Sequence, residues 1–97
     1  MTRDELIELF ESSDDEYLNF EKIESPLHKR PDLCAFLRLD ELVPGNRDMV
    51  SAAEHDEIYL EIDLDKLAEV ATADDVIYLQ RCGIRLDDHN EGLAMFV

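Results

Sequence analysis

The chain has 97 residues, of which 45% are hydrophobic, so it can bury the core of one domain but not of two. Twenty-five acidic residues against nine basic ones give a formal net charge of −16, which argues against direct binding to DNA, RNA or an anionic membrane. No apolar run reaches the roughly 18 residues that a membrane-spanning helix needs. We therefore expect one acidic domain, residues 1–97, whose partners are cations or cationic surfaces.

The N-terminal residues are charged and lack the apolar block of a secretory signal, so we expect a cytoplasmic protein. The two cysteines, Cys34 and Cys82, are too few for a disulfide framework in a chain of this length. We expect both thiols to be reduced and buried as small hydrophobic side chains.

The first segment predicts a helix over about residues 3–11. Thr2 and Glu5 have the spacing of a capping box, and an apolar stripe that includes Leu6 and Phe10 follows them. Residues 12–15 end this helix and fit the cap of a further turn. The next segment, residues 17–23, is compatible with a helix or a strand.

Residues 25–31 predict a loop, because Pro26 and Pro31 each disfavour helix at the preceding residue. Residues 32–43 favour a buried helix with Pro31 near its first position. A strand across residues 34–39 is the alternative. In either case residues 44–46 end the element.

Residues 57–65 predict a strand with one buried and one wet face, because apolar residues alternate with acidic or polar ones. Helical spacing follows from Leu64 to Ala71. Thr72 then caps a helix that runs through Cys82 and that Gly83 closes in a left-handed conformation.

The last segments, residues 84–87 and 93–97, predict a hairpin around residues 88–92. Residues 93–97 carry no charge, so we expect this strand to be buried or paired, with a homodimer as one way of pairing it. Together the elements predict an α+β fold, a small antiparallel sheet packed with three or four short helices.

The sequence predicts no catalytic residue, no metal site and no cofactor. The histidines and cysteines lack the closely spaced pairs of zinc sites, and the oxygen-rich residues 87–92 lack the order of a calcium loop. If the chain were an enzyme, His55 beside Asp56 and Glu57 would be the first candidate for a general acid or base. The competing interpretation is that His55 is a turn residue.

The charge is concentrated in residues 1–24, with a net charge of −7, and in residues 57–75, with a net charge of −6. On a strand, alternate carboxylates lie roughly 6.7 Å apart, an interval similar to that between phosphates along one nucleic-acid strand. On the first helix, acidic residues recur at spacings of three and four. The pattern predicts two partner-binding acidic rows: Glu57, Glu61, Asp63 and Asp65 in one, and Glu8, Glu11, Asp14 and Asp15 in the other.

Several short stretches resemble small uncharacterised acidic proteins of bacteria and their phages. They are KRPDL at 29–33, LVPG at 42–45, AEHDEI at 53–58, RCG at 81–83 and LAMFV at 93–97. The resemblance covers about residues 20–97 and carries over no functional residue and no enzyme family. It implies a setting in which small acidic proteins inhibit host defence proteins or DNA-binding proteins.

These patterns lead to a hypothesis and two alternatives. The hypothesis is an acidic protein-binding module that mimics nucleic acid and occupies the cationic surface of a DNA- or RNA-binding protein of host defence or regulation. The first alternative is a generic interaction or structural domain with a salt-adapted acidic surface. The second is a small enzyme that uses His55.

Overall fold

Four helices and four strands make up the protein, and the computed structural model describes all 97 residues. The helices are α1 (Arg3–Ser12), α2 (Pro31–Leu42), α3 (Leu64–Val70) and α4 (Ala73–Arg81). The strands are β1 (Val50–Glu54), β2 (Glu57–Leu60), β3 (Arg85–Leu86) and β4 (Leu93–Phe96), joined in one antiparallel sheet in the order β1-β2-β4-β3. The predicted α+β fold is confirmed. None of the helices has the length and apolar character that a membrane crossing requires.

Local sequence signals set most helix ends. The Thr2 hydroxyl accepts a hydrogen bond from the Glu5 N–H (3.2 Å), and the Glu5 carboxylate accepts one from the Thr2 N–H (2.8 Å), which is the predicted capping box. Thr72 and Asp75 form the same arrangement at α4. Gly83 follows α4 with a φ of +97°, as predicted for a left-handed position.

The two undecided segments are now settled. Residues 32–43 belong to a helix, because α2 begins at Pro31 and ends at Leu42. Residues 17–23 form neither an α-helix nor a strand. Short 3₁₀ turns at Asp14–Glu16 and Phe20–Lys22 carry this part of the chain, and the Leu18 N–H donates to the Gln80 carbonyl of α4 (3.0 Å).

The predicted C-terminal hairpin is confirmed, since β3 and β4 pair antiparallel. β4 also pairs with β2, so residues 93–96 lie inside the sheet and have a neighbouring strand on both sides. β1 was not predicted. It pairs with β2 and forms one edge of the sheet, and all five of its residues are exposed.

The strand predicted over residues 57–65 is too long. β2 ends at Leu60, and Asp63 is the N-cap of α3, where its carboxylate accepts hydrogen bonds from the N–H groups of Asp65 (2.9 Å) and Lys66 (3.3 Å). Leu60, Ile62 and Leu64 are still buried, so the apolar alternation continues past the last ladder pair. The alternation of apolar residues therefore predicts which residues are buried, but not where the hydrogen-bonded strand ends.

One apolar cluster joins the helices to the sheet. Its large, fully buried members come from all four helices, from β4 and from the segment that precedes β3: Leu6, Leu39, Leu64, Leu67, Leu79, Ile84, Leu93 and Val76. Gln80 of α4 is the one buried polar side chain. Its amide nitrogen donates to the Phe10 carbonyl of α1 (2.8 Å), and its amide oxygen accepts from the Ser13 hydroxyl (2.5 Å). These bonds hold the end of α1 against α4.

Candidate acidic interface

The first acidic block lies on the solvent side of α1 and on the turn that follows it. Leu6 and Phe10 of α1 point into the core, so helical periodicity places Glu8 and Glu11 on the opposite side of the helix. Asp14 and Asp15 begin the 3₁₀ turn after α1. All four of these acidic residues are exposed, as a partner-binding role requires.

Three members of the second block lie together around a shallow depression of about 490 Å³. Glu61, Asp63 and Asp65 are exposed and line this depression. Asp87 and Glu91, from the connection between β3 and β4, complete its acidic lining. Five carboxylates from two separate parts of the chain therefore surround one concave surface.

The two acidic blocks meet at Asp87. Glu11 and Asp14 line a neighbouring depression of about 410 Å³, and Asp87 lies in its wall as well as in the wall of the first depression. We call the continuous surface formed by these carboxylates the acidic band. Its members are Glu11, Asp14, Asp87, Glu91, Glu61, Asp63 and Asp65. Glu8 and Asp15 line neither depression, and Glu8 lies about one helical turn before Glu11 on α1.

Asp87 is held in place by its own turn. Its carboxylate accepts hydrogen bonds from the N–H groups of His89 (3.0 Å) and Glu91 (3.0 Å), and its backbone N–H donates to the Gly92 carbonyl (2.9 Å). The sequence predicts a turn at residues 87–92 but does not assign its acidic residues to either acidic row. The concentration of oxygen-bearing side chains in this turn is the signal that could have done so.

Arg3 is the one basic residue in the lining of the larger depression. Its guanidinium lies 3.8 Å from the Asp65 carboxylate and 3.4 Å from the Asn90 carbonyl, which it contacts as a donor. Both side chains of the Arg3–Asp65 pair are largely exposed, and exposed ion pairs contribute at most about 1 kcal/mol. One cation beside five carboxylates leaves the depression strongly negative.

Glu57 stands apart from the other predicted acids. Its carboxylate pairs with the Arg85 guanidinium, which also lies over the Phe96 ring at 4.3 Å, and its side chain is only 17% exposed. The single straight row predicted along one strand is therefore wrong, because β2 ends at Leu60 and Glu57 is neutralised by Arg85.

The Tyr59 hydroxyl has a pKa above its ordinary value. Partial desolvation raises this pKa, and so do the nearby carboxylates of Glu57 and Glu54.

His55 lies in the turn between β1 and β2, at a φ of +56°, and its side chain is exposed. It forms no hydrogen bond or ion pair with Asp56, Glu57 or any other residue, and it lines none of the depressions described above. A general acid or base needs an oriented partner beside a cleft. The structure gives the His55 side chain neither an oriented partner nor a place in either of these depressions, so it adds no support for a catalytic role.

The two cysteines are free and buried, as predicted. Burial and the neighbouring Cys34 thiol raise the pKa of Cys82 to about 12, and Cys82 is the C-cap of α4, where the helix dipole also disfavours an anion. No three potential metal-ligating side chains from His, Cys, Asp and Glu lie close enough to hold an ion.

The acidic band is suited to accepting hydrogen bonds from lysine ammonium and arginine guanidinium groups, because its acidic residues line concave surfaces and all of them except the half-buried Asp87 are exposed. No protein-family model matches the chain, and neither a curated protein nor a solved structure matches it.

Proposed function

We propose that the acidic band binds the cationic surface of a nucleic-acid-binding protein and occupies the positions that phosphates would take. The observation that carries the proposal is the meeting of two acidic blocks at Asp87, which makes one continuous surface from carboxylates that are distant in sequence. A cationic groove that follows a nucleic-acid backbone needs such a series of negative groups.

The mechanism is electrostatic. The carboxylates take the hydrogen bonds of lysine and arginine side chains, and the field of a chain with a net charge of −16 accelerates the encounter with a cationic partner. The same field repels nucleic acid and anionic membranes. We place this binding in the cytoplasm, with a DNA- or RNA-binding protein of host defence or regulation as the partner.

The distribution of charge favours mimicry over a generally salt-adapted surface. Salt adaptation would spread acidic residues evenly, whereas residues 25–56 have a net charge of only −2. Lys29 and Arg30 are exposed in that part of the chain, outside the acidic band, whereas Arg47 lines a depression together with Glu61. The negative charge is therefore concentrated in two segments of the chain, and both segments contribute residues to the acidic band.

A pull-down tests the proposal. The protein is immobilised, a host lysate is applied at low salt, bound proteins are eluted with steps of increasing salt, and the eluted proteins are identified. We expect the eluted proteins to be nucleic-acid-binding proteins whose release depends steeply on the salt concentration. We also expect added duplex DNA or RNA to displace them.

Matched charge reversals locate the interface. The double variant Glu11→Lys/Glu61→Lys removes one carboxylate from each end of the acidic band, and neither side chain forms a hydrogen bond or an ion pair within the chain. The control Glu21→Lys/Glu24→Lys makes the same change in net charge at exposed positions outside the band. Asp63 and Asp87 are left unchanged because their carboxylates cap a helix and a turn.

We expect the band variant to weaken binding at least tenfold more than the control does. Equal effects of the two variants would show that net charge alone drives the association. Partners with no connection to nucleic acid, or elution that salt does not affect, would contradict the proposal.

A further inference from the structure

β1 is an open edge of the sheet. It is the outermost strand next to β2, and all five residues, Val50–Glu54, are exposed. The opposite edge, β3, has only two residues. Proteins protect exposed edges with charges, prolines, short strands or bulges, because unpaired N–H and C=O groups attract another strand.

The protection of β1 is slight. Residues 49–53 carry no charge and no proline, and the strand has one irregularity of register, between Val50 and Ala52. Its side chains are small, with serine and alanine at three of the five positions, so a second strand can approach without steric hindrance. The exposed backbone of β1 therefore offers a strand-pairing site.

Charge decides which strand can occupy this site. The cationic partner proposed above is attracted to the carboxylates of the acidic band, none of which belongs to β1, although Ser51 of β1 lines the larger depression. Two copies of a chain with a net charge of −16 repel each other at their acidic surfaces, and only a weakly charged segment lets them approach. β1 lies within residues 25–56, which have a net charge of −2, and Glu54 at its end is its one charged residue.

We propose that β1 pairs antiparallel with β1 of a second copy of this chain, so that the two sheets join into one of eight strands. Parallel pairing would place Glu54 of one copy beside Glu54 of the other. In antiparallel pairing, Glu54 lies instead near the N-terminal end of the partner strand. The residues just before that end are Arg47 and Asp48, whose charges cancel. Arg47 is exposed and forms no ion pair within the chain, so its guanidinium is available to Glu54 of the second copy.

Sedimentation at several protein concentrations tests this pairing, with measurements at about 0.05 M and about 0.5 M NaCl. Screening reduces the repulsion between two acidic chains, so we expect the dimer to tighten as salt increases. Binding of a cationic partner should instead weaken with salt, so the two proposals fail independently.

Two variants and one control identify the strand. Ala53→Pro removes a backbone donor from β1 and should abolish the dimer, with circular dichroism as the check on folding. Arg47→Glu should weaken the dimer about tenfold relative to Arg30→Glu, which makes the same charge change at an exposed residue outside the strand. If Ala53→Pro fails to fold, Arg47→Glu and its control decide the result.

A chain that remains monomeric at about 500 µM in about 0.5 M NaCl would overturn the proposal. A dimer that neither variant weakens would also overturn it, because the contact would then lie elsewhere on the molecule.

Discussion

Asp63 combines exposure with a structural role that its neighbour Glu61 lacks. Its carboxylate caps α3 through the N–H groups of Asp65 and Lys66, whereas the Glu61 side chain forms no hydrogen bond within the chain. We expect Asp63→Ala to lower the free energy of unfolding by about 1 kcal/mol, a typical N-cap contribution. Glu61→Ala should change it by less than about 0.5 kcal/mol. Urea denaturation of the two variants measures both effects, and equal losses would contradict the capping role.

Cys82 should make stability depend on pH in the alkaline range. Burial and Cys34 raise the pKa of its thiol from 9.0 to about 12 in the folded protein, so the folded state holds this proton more tightly than the unfolded state does. The resulting stabilisation is complete below pH 9 and is lost as the pH rises towards 12. Tyr59 and Tyr78 also have raised pKa values and act in the same direction.

Comparison with Cys82→Ala isolates the thiol. The variant should be less stable at neutral pH because it leaves a small cavity, but its stability should fall less steeply above pH 9. Urea denaturation at a series of pH values measures both slopes. Parallel loss of stability in the two proteins would assign the pH dependence to other groups.

Gln80 fastens α4 to the end of α1 and so positions the turn that carries Asp14. The side chain is 3% exposed and bonds to the Phe10 carbonyl and the Ser13 hydroxyl. We expect Gln80→Met to lower the free energy of unfolding by about 2 kcal/mol, because a buried carbonyl loses its donor. Ser12→Ala, which removes an exposed hydroxyl at the same end of α1, is the control and should have little effect. A Gln80→Met variant as stable as the control would show that packing alone joins these helices.

The helices were predictable from sequence because their ends carry local signals. Thr2 and Thr72 each open a capping box, and Pro31 begins α2. β1 was missed because Val50–Glu54 has neither apolar alternation nor β-branched or aromatic residues beyond its first position, so only its pairing with β2 makes it a strand. The end of β2 was missed because the alternation of buried residues continues to Leu64.

The candidate site was only partly predictable for a related reason. Exposure of the individual acidic residues follows from their local pattern, and Glu8, Glu11, Glu61 and Asp65 are exposed as expected. Which of them share a surface depends on tertiary packing. The turn at Asp87 comes to lie between the two blocks, and Arg85 comes to neutralise Glu57, through contacts that no short window of sequence contains.

We expect the acidic band to make the free energy of unfolding lower than it would be with a neutral surface. Glu61 lies among Asp63, Asp65 and Asp87 around one depression, and carboxylates that share a surface repel one another. We expect Glu61→Lys to raise the free energy of unfolding at low salt by about 0.5–1 kcal/mol, and we expect the same substitution to weaken binding to the proposed cationic partner. Functional surfaces often show this opposition between stability and binding.

Salt separates this local effect from the effect of net charge. Glu24→Lys changes the net charge equally at an exposed position outside the band, so it should gain less stability than Glu61→Lys in about 0.02 M NaCl. The difference between the two variants should shrink in about 0.5 M NaCl, where the Debye length falls to roughly 4 Å and screening weakens the repulsion within the band. Urea denaturation of the wild type and of both variants at the two salt concentrations gives the four changes in the free energy of unfolding that are compared. Equal gains at low salt would mean that repulsion is spread over the whole surface.

A wild-type chain that folds only near molar salt would favour the salt-adapted surface over a localised interface, because the acidic residues would then serve stability at high salt rather than binding to a partner.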